Sequence, residues 1–154
     1  MTVAAVLVPL IRAYGLEEKV IVQSFWPLTL EIVQQMAPEI RTQFLTTTST
    51  GQTAAANLAY VVALQHDVSA PNFDAPDFNA TLLQAAHAAG IQVIPYTPDR
   101  ESDLRATLAL GVDGIITNFP ACLMRIQNRS LPPTVGVAGP TRVCPDDVQA
   151  DLVR

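Results

Sequence analysis

IQVIPYTPDRESDLRATLALGVDGIITN, residues 91–118, decides the fold class. Ile91-Gln92-Val93-Ile94-Pro95-Tyr96 is a short apolar run of the kind found in strands buried on both faces. Asp99 can cap a helix that contains Leu104, Leu108 and Leu110 and is ended by Gly111. Asp113-Gly114 then makes a turn into Gly114-Ile115-Ile116-Thr117, a second run too short for anything but a strand. Strand, helix and strand within 28 residues describe a βαβ unit, whose two strands lie parallel.

Working outward, the same alternation repeats. Val3, Val6, Leu7, Leu10, Ile11 and Tyr14 recur at helical spacing before Gly15, and Pro9 predicts that this helix begins near it. Lys19–Phe25 reads as a strand. Pro27 opens a helix through Leu28, Glu31, Ile32 and Gln35 that Pro38 closes. Ile40–Leu45 is a second strand, Thr46–Gly51 a Thr/Ser-rich loop, Ala54–Leu64 a helix and His66–Ser69 a short third strand. After a turn-forming stretch from Asn72 to Pro76, Asp77 or Asn79 can cap a helix through Leu82, Leu83, Ala86 and His87, ended by Gly90. From Asn128 the pattern stops. Pro132, Pro133, Gly136, Gly139, Pro140 and Pro145 predict a largely disordered tail over 128–154 behind a folded unit of 1–127.

Composition narrows the classes. The chain has 154 residues, 49% of them hydrophobic, a net charge of −5 and a mean hydropathy of +0.28. Nine scattered basic residues argue against a nucleic-acid surface. No apolar run reaches the roughly 18 residues of a membrane span, and Pro9 interrupts the longest, Val3–Ile11. Met1-Thr2 carries no basic side chain of a secretory signal, so a cytoplasmic location is expected. Cys122 and Cys144 fit no zinc or C-x-x-C spacing, and two free thiols in a reducing compartment are expected.

Functional residues of parallel α/β folds gather at the carboxyl ends of strands. Here those ends are Gln23-Ser24-Phe25-Trp26, Leu45-Thr46, Ser69-Ala70, Tyr96-Thr97-Pro98-Asp99 and Thr117-Asn118-Phe119. They offer amides, hydroxyls and aromatic faces, which suit a polar ligand with an apolar flank. They form neither a nucleophile–base pair nor a metal cage. Trp26 is equally a pocket wall or a cover for a helix start, whereas Tyr96 opens toward the mouth of the sheet. His66-Asp67 would point to opposite faces of a strand and so share no site. His87 reads as a packed or half-exposed helix residue, and Asp113 as turn chemistry on the far side from any active site. There is no phosphate-binding glycine loop and no paired carboxylate.

Three segments carry a resemblance. Val20–Phe25 with its "QSF" ending, Ala85–Thr97 with "AAHAAG" and the strand after it, and Leu110–Pro120 resemble, in order and spacing, glycerophosphodiester phosphodiesterases over residues 3–125. Three positions depart from that pattern: Tyr96 stands where the family has Trp, Asp99 where it has Asn, and Asn118 where it has Asp. The resemblance implies part of a TIM (β/α)8 barrel with about five parallel strands, the first three being absent and the cut falling before the helix that leads into Val20–Phe25. It implies a metal-dependent hydrolase, using Ca or Mg, that converts glycerophosphodiesters to glycerol 3-phosphate and an alcohol. The family's histidine and carboxylate motifs, "HRG…PENT", "E-x-D", "HD" and "E-x-K", have no counterpart here. His66-Asp67 lies after the QSF strand and does not inherit the "HD" role. No catalytic residue, no metal ligand and no cofactor is therefore assigned to this chain. Gln23, Phe25, Trp26, Tyr96, Thr97 and Asn118 are expected to line the substrate pocket. The open side is expected to bare strand edges and an apolar interior. Three readings follow: an inactive enzyme fragment, half of a split enzyme completed by an N-terminal half-barrel partner or by self-association, or a non-catalytic α/β binding domain.

Overall fold

A computed structural model describes residues 2–46, 53–130 and 144–145. Among these residues ten elements follow one another, strand and helix alternating as far as α5: α1 (Val3–Ala13), β1 (Ile21–Ser24), α2 (Pro27–Met36), β2 (Arg41–Leu45), α3 (Ala54–Ala63), β3 (Val68–Ala70), α4 (Ala80–Ala88), β4 (Gln92–Val93), α5 (Glu101–Ala109) and α6 (Pro120–Ile126). The four strands form one parallel sheet in the order β1-β2-β3-β4. Chain order and spatial order coincide, as repeated βαβ crossovers of one hand require. The sheet with its helices is the α/β architecture of an incomplete TIM barrel.

The expected fifth strand is reduced to a point of pairing. Ile116 bridges Tyr96, with Asp113 N donating to Val93 O at 3.0 Å and Ile116 N to Pro95 O at 2.9 Å. Gly114 sits between them against the Ile94 side chain and adds no side chain of its own to the sheet. α1 also differs from expectation. It runs straight through Pro9, because Pro9 lies on its exposed face, where water can satisfy the carbonyl that proline leaves without a donor. Gly90 and Gly111 adopt φ of +74° and +84°, the left-handed turn that ends α4 and α5.

Strand residues divide by parity. Val22, Phe44 and Val93 join Val8, Ile11, Leu30, Val33, Leu58, Val61, Leu83 and Ala86 in the core between sheet and helices. The alternate residues face the concave side, which would be the inside of a barrel. There the expectation of an apolar interior is corrected: Gln23, Arg41, Gln43 and Gln92 lie among Ile21, Leu45 and Val68. Arg41 donates to Gln92, and Gln43 Nε2 donates to Ile94 O at 3.3 Å. Period-two alternation puts these polar groups inside, because the neighbouring apolar residues are claimed by the helices.

A second correction concerns the cysteines. Cys122 of α6 and Cys144 are joined in a disulfide, not held as free thiols. Both are fully buried with Leu104, against Ile115, Phe119, Leu123 and Ile126. Their 22-residue separation showed no motif because the pairing depends on how the chain returns to α6. The tail expected to be disordered otherwise lies outside the described residues beyond 130, as does the loop 47–52.

Candidate functional site

The carboxyl ends of the strands form the mouth. Tyr96 sits at its centre because its backbone is tied on both sides. Its N–H donates to Pro71 O at 3.1 Å, its carbonyl accepts from Phe73 N at 2.9 Å, and its neighbours across the sheet are Asn72 and Ile116. The phenol reaches over the sheet and donates to the carbonyl of Thr46 at the end of β2. Phe25, at the end of β1, meets the Tyr96 ring edge-on, with centroids 5.7 Å apart and planes at 87°. This favourable edge-to-face geometry makes an aromatic wall out of residues 71 positions apart in sequence. Burial, with a smaller push from Asp74, raises the Tyr96 phenol pKa, so the group acts as a hydrogen-bond donor at neutral pH.

Beside Tyr96 lies a polar latch. Asp99 Oδ1 accepts from Thr117 Oγ1 at 3.0 Å and from Asn118 N at 2.9 Å, and Oδ2 accepts from Asn118 Nδ2 at 2.8 Å. Burial alone would raise the Asp99 pKa. The bonds from the Asn118 side chain, the Asn118 backbone and Thr117 outweigh it and hold the carboxyl below its usual range. Asp99 was expected to cap α5, yet the cap residue is Arg100, without a side-chain bond. Two of the three departures from the family pattern, Asp99 and Asn118, are thus hydrogen-bonded to each other. That pairing was the available signal for Asp99, which sequence reasoning left out of the pocket.

Of the six expected pocket residues, the structure brings Phe25 against Tyr96 and ties Asn118 to the mouth. Gln23 is exposed on the concave face, two residues before Phe25, and its side chain hydrogen-bonds no described residue. Trp26 is 75% exposed; its backbone N–H donates to Ser24 Oγ at 2.9 Å, and it forms the entry to α2. Thr97 is half-buried directly after Tyr96.

Other polar groups are structural. Of the two candidates for the α4 cap, Asn79 takes it, while Asp77 accepts from Ala54 N and Ala55 N at 2.9 Å each in the first turn of α3, whose N-cap is Thr53. His66 and Asp67 lie just before β3, so the expectation that they diverge on a strand fails. Both converge on Thr42, whose Oγ1 is 3.0 Å from His66 Nδ1 and whose N–H donates to Asp67 Oδ2 at 2.7 Å. Burial lowers the His66 pKa and keeps the ring neutral beside the Phe44–Tyr60 pair. His87 Nε2 lies 2.9 Å from Asp113 Oδ2, which also accepts from Val93 N at 2.8 Å, bolting α4 and β4 to the turn before Ile116.

The described residues do not fit a divalent metal at the mouth. Its carboxylates are Asp74, exposed and single, Asp77, engaged as a helix cap, and Asp99, holding three donors. Among the described residues the one cluster with three possible ligands is Glu101, Cys122 and Cys144, and its two sulfurs are bonded to each other. A hard cation needs several free oxygens converging on one point.

The profile of the Glycerophosphoryl diester phosphodiesterase family matches residues 2–122. A glycerophosphodiester phosphodiesterase of Caldanaerobacter subterraneus is 28% identical over 123 residues, covering 80% of this chain and 48% of that protein. Another from Bacillus altitudinis is 27% identical over 117 residues, covering 76% of this chain and 46% of its own length. The fold matches a phosphodiesterase of Oleispira antarctica, solved with its product sn-glycerol-3-phosphate, at a TM-score of 0.70 and 16% identity over 81% of this chain and 49% of that one. It also matches a glycerophosphodiester phosphodiesterase from Galdieria sulphuraria at a TM-score of 0.72, 23% identity and 82% and 50% coverage. The chain spans about half the length of the relatives it matches.

Proposed function

Because this chain belongs to the glycerophosphoryl diester phosphodiesterase family, we propose that its 154 residues supply one wall of a glycerophosphodiester-hydrolysing pocket and do not catalyse the reaction alone. Gln23, Phe25, Trp26, Tyr96, Thr97 and Asn118 line that wall, the aromatics against carbon and the amides and hydroxyl against oxygen. The family's divalent cation, Ca or Mg, and its acid–base histidines come from strands outside these residues, on the same polypeptide or on a partner half-barrel. The observation that carries this reading is the mouth itself: an aromatic pair and a polar latch are assembled, while among the described residues no free carboxylate cluster is. Without a metal the phosphoryl oxygens are not polarised, and without a positioned acid the leaving alkoxide is not protonated. The reading includes a cytoplasmic location.

The test is an assay of the purified chain on glycerophosphocholine with and without Ca²⁺ or Mg²⁺. No metal-dependent release of choline is expected. Calcium-stimulated turnover by the isolated chain overturns the proposal.

A further inference from the structure

An ionised carboxylate only accepts hydrogen bonds. Among the described residues, every group that hydrogen-bonds Asp99 is a neutral donor: the Thr117 hydroxyl, the Asn118 N–H and the Asn118 side-chain amide. No charged side chain contributes to its low pKa. The amide of Asn118 must therefore turn its NH₂ toward Asp99, and this settles an orientation that an isolated Asn leaves open. Its carbonyl oxygen, Oδ1, is then directed away from Asp99. No described residue donates to Oδ1, and Asn118 is exposed at the mouth, two residues after the Ile116 bridge to Tyr96.

From this geometry we infer that Asp99 is a positioning residue that presents Asn118 Oδ1 as a fixed, neutral acceptor for a ligand hydroxyl of the polyol class, and that the same position does not hold a cation. This rests on the reading that the mouth binds a glycerol phosphate ester. The physical distinction is charge. A carboxylate at position 118 would accept the same hydroxyl but would repel a phosphate monoester and attract a divalent ion. The amide accepts the hydroxyl without that repulsion. Were residue 99 an amide, it could donate to Asn118 Oδ1 instead, and the acceptor would be consumed within the protein.

The experiment titrates the ¹⁵N-labelled chain with sn-glycerol 3-phosphate and, separately, with Ca²⁺, following the Asn118 side-chain amide and the backbone amides of Phe25, Tyr96 and Thr117. Glycerol 3-phosphate is expected to shift Asn118 and Tyr96 saturably, and Ca²⁺ to leave both in place. Asp99→Asn should weaken glycerol 3-phosphate by about three- to tenfold, the value of one hydrogen bond. Asn118→Ala should cost the same while leaving Asp99 its bonds to Thr117 and the backbone, so it carries the test if Asp99→Asn does not fold. The double exchange Asp99→Asn with Asn118→Asp should keep the pair and the parent melting temperature, yet weaken sn-glycerol 3-phosphate because the carboxylate at 118 repels its phosphate. A titration that moves Phe25 and Tyr96 but not Asn118, an affinity unchanged in both single variants, or Ca²⁺ binding at Asn118 in the parent chain overturns this inference alone. A titration that moves none of the mouth residues overturns the functional reading beneath it.

Discussion

The two flanks of the sheet are built on opposite plans. On the β1 side, α1 turns Val3, Val6, Leu10 and Tyr14 outward at 73, 51, 52 and 71% exposure, and Phe25, Trp26 and Leu28 after β1 are exposed as well. β1 has no strand beyond it among the described residues. On the other side, the region after β4 is closed off. α5 and α6 bury Leu104 with the Cys122–Cys144 bond, and Glu101 pairs with Arg105 at 2.7 Å and Arg125 at 2.5 Å over it. An edge strand beside exposed apolar side chains is a surface that needs a cover. A disulfide-stapled cluster under ion pairs does not. In a closed barrel both edges of this sheet, β1 and the bridge at Ile116, would meet further strands, and the contrast lies in the helical layer, which is stapled on one flank and apolar to water on the other.

The contrast can be broken in three ways, from the largest expected effect to the smallest. Leu104→Ala removes a fully buried side chain from the closed flank and is expected to cost about 2–5 kcal/mol in urea unfolding; a loss under about 1 kcal/mol would show that this cluster is not a packed core. Cys122→Ser, or reduction with dithiothreitol, frees the chain at Cys144 and is expected to cost about 3 kcal/mol for a loop of this size. An unchanged melting temperature under reducing conditions would mean that the closed flank stands without its staple. Val6→Ser with Leu10→Ser on the open flank should change stability by no more than about 0.5 kcal/mol each, because both side chains already meet water. The same pair should reduce self-association in light scattering. If the double variant unfolds the chain, or if the parent is a clean monomer, the open flank is not an uncovered interface.

Much of this was legible in sequence because it depends on local pattern. The apolar runs at Val20–Phe25, Ile40–Leu45 and Ile91–Tyr96 became β1, β2 and β4 with trimmed ends, and Gly90 and Gly111 stop the helices they were read to stop. The family segments carried the barrel architecture. Partner choice was not legible. Asp77 and Asp99 each precede a helix and look like its cap, yet Asp77 serves α3 and Asp99 serves Thr117 and Asn118. His66 and Asp67 were separated by strand parity and then met at Thr42, because β3 begins after them.

By itself the sequence determined the alternation of strand and helix, the parallel sheet that alternation demands, and the family. The first two follow from hydrophobic period and turn residues, which act over a few neighbouring positions, and the family from the three segments that resemble it. Tertiary structure alone decided that Phe25 and Tyr96 share an aromatic wall, that Asn118 is held by Asp99 and that Cys122 bonds Cys144. Each of these joins groups from separate elements. Their distance is set by sheet register and helix packing, which no local stretch of residues encodes.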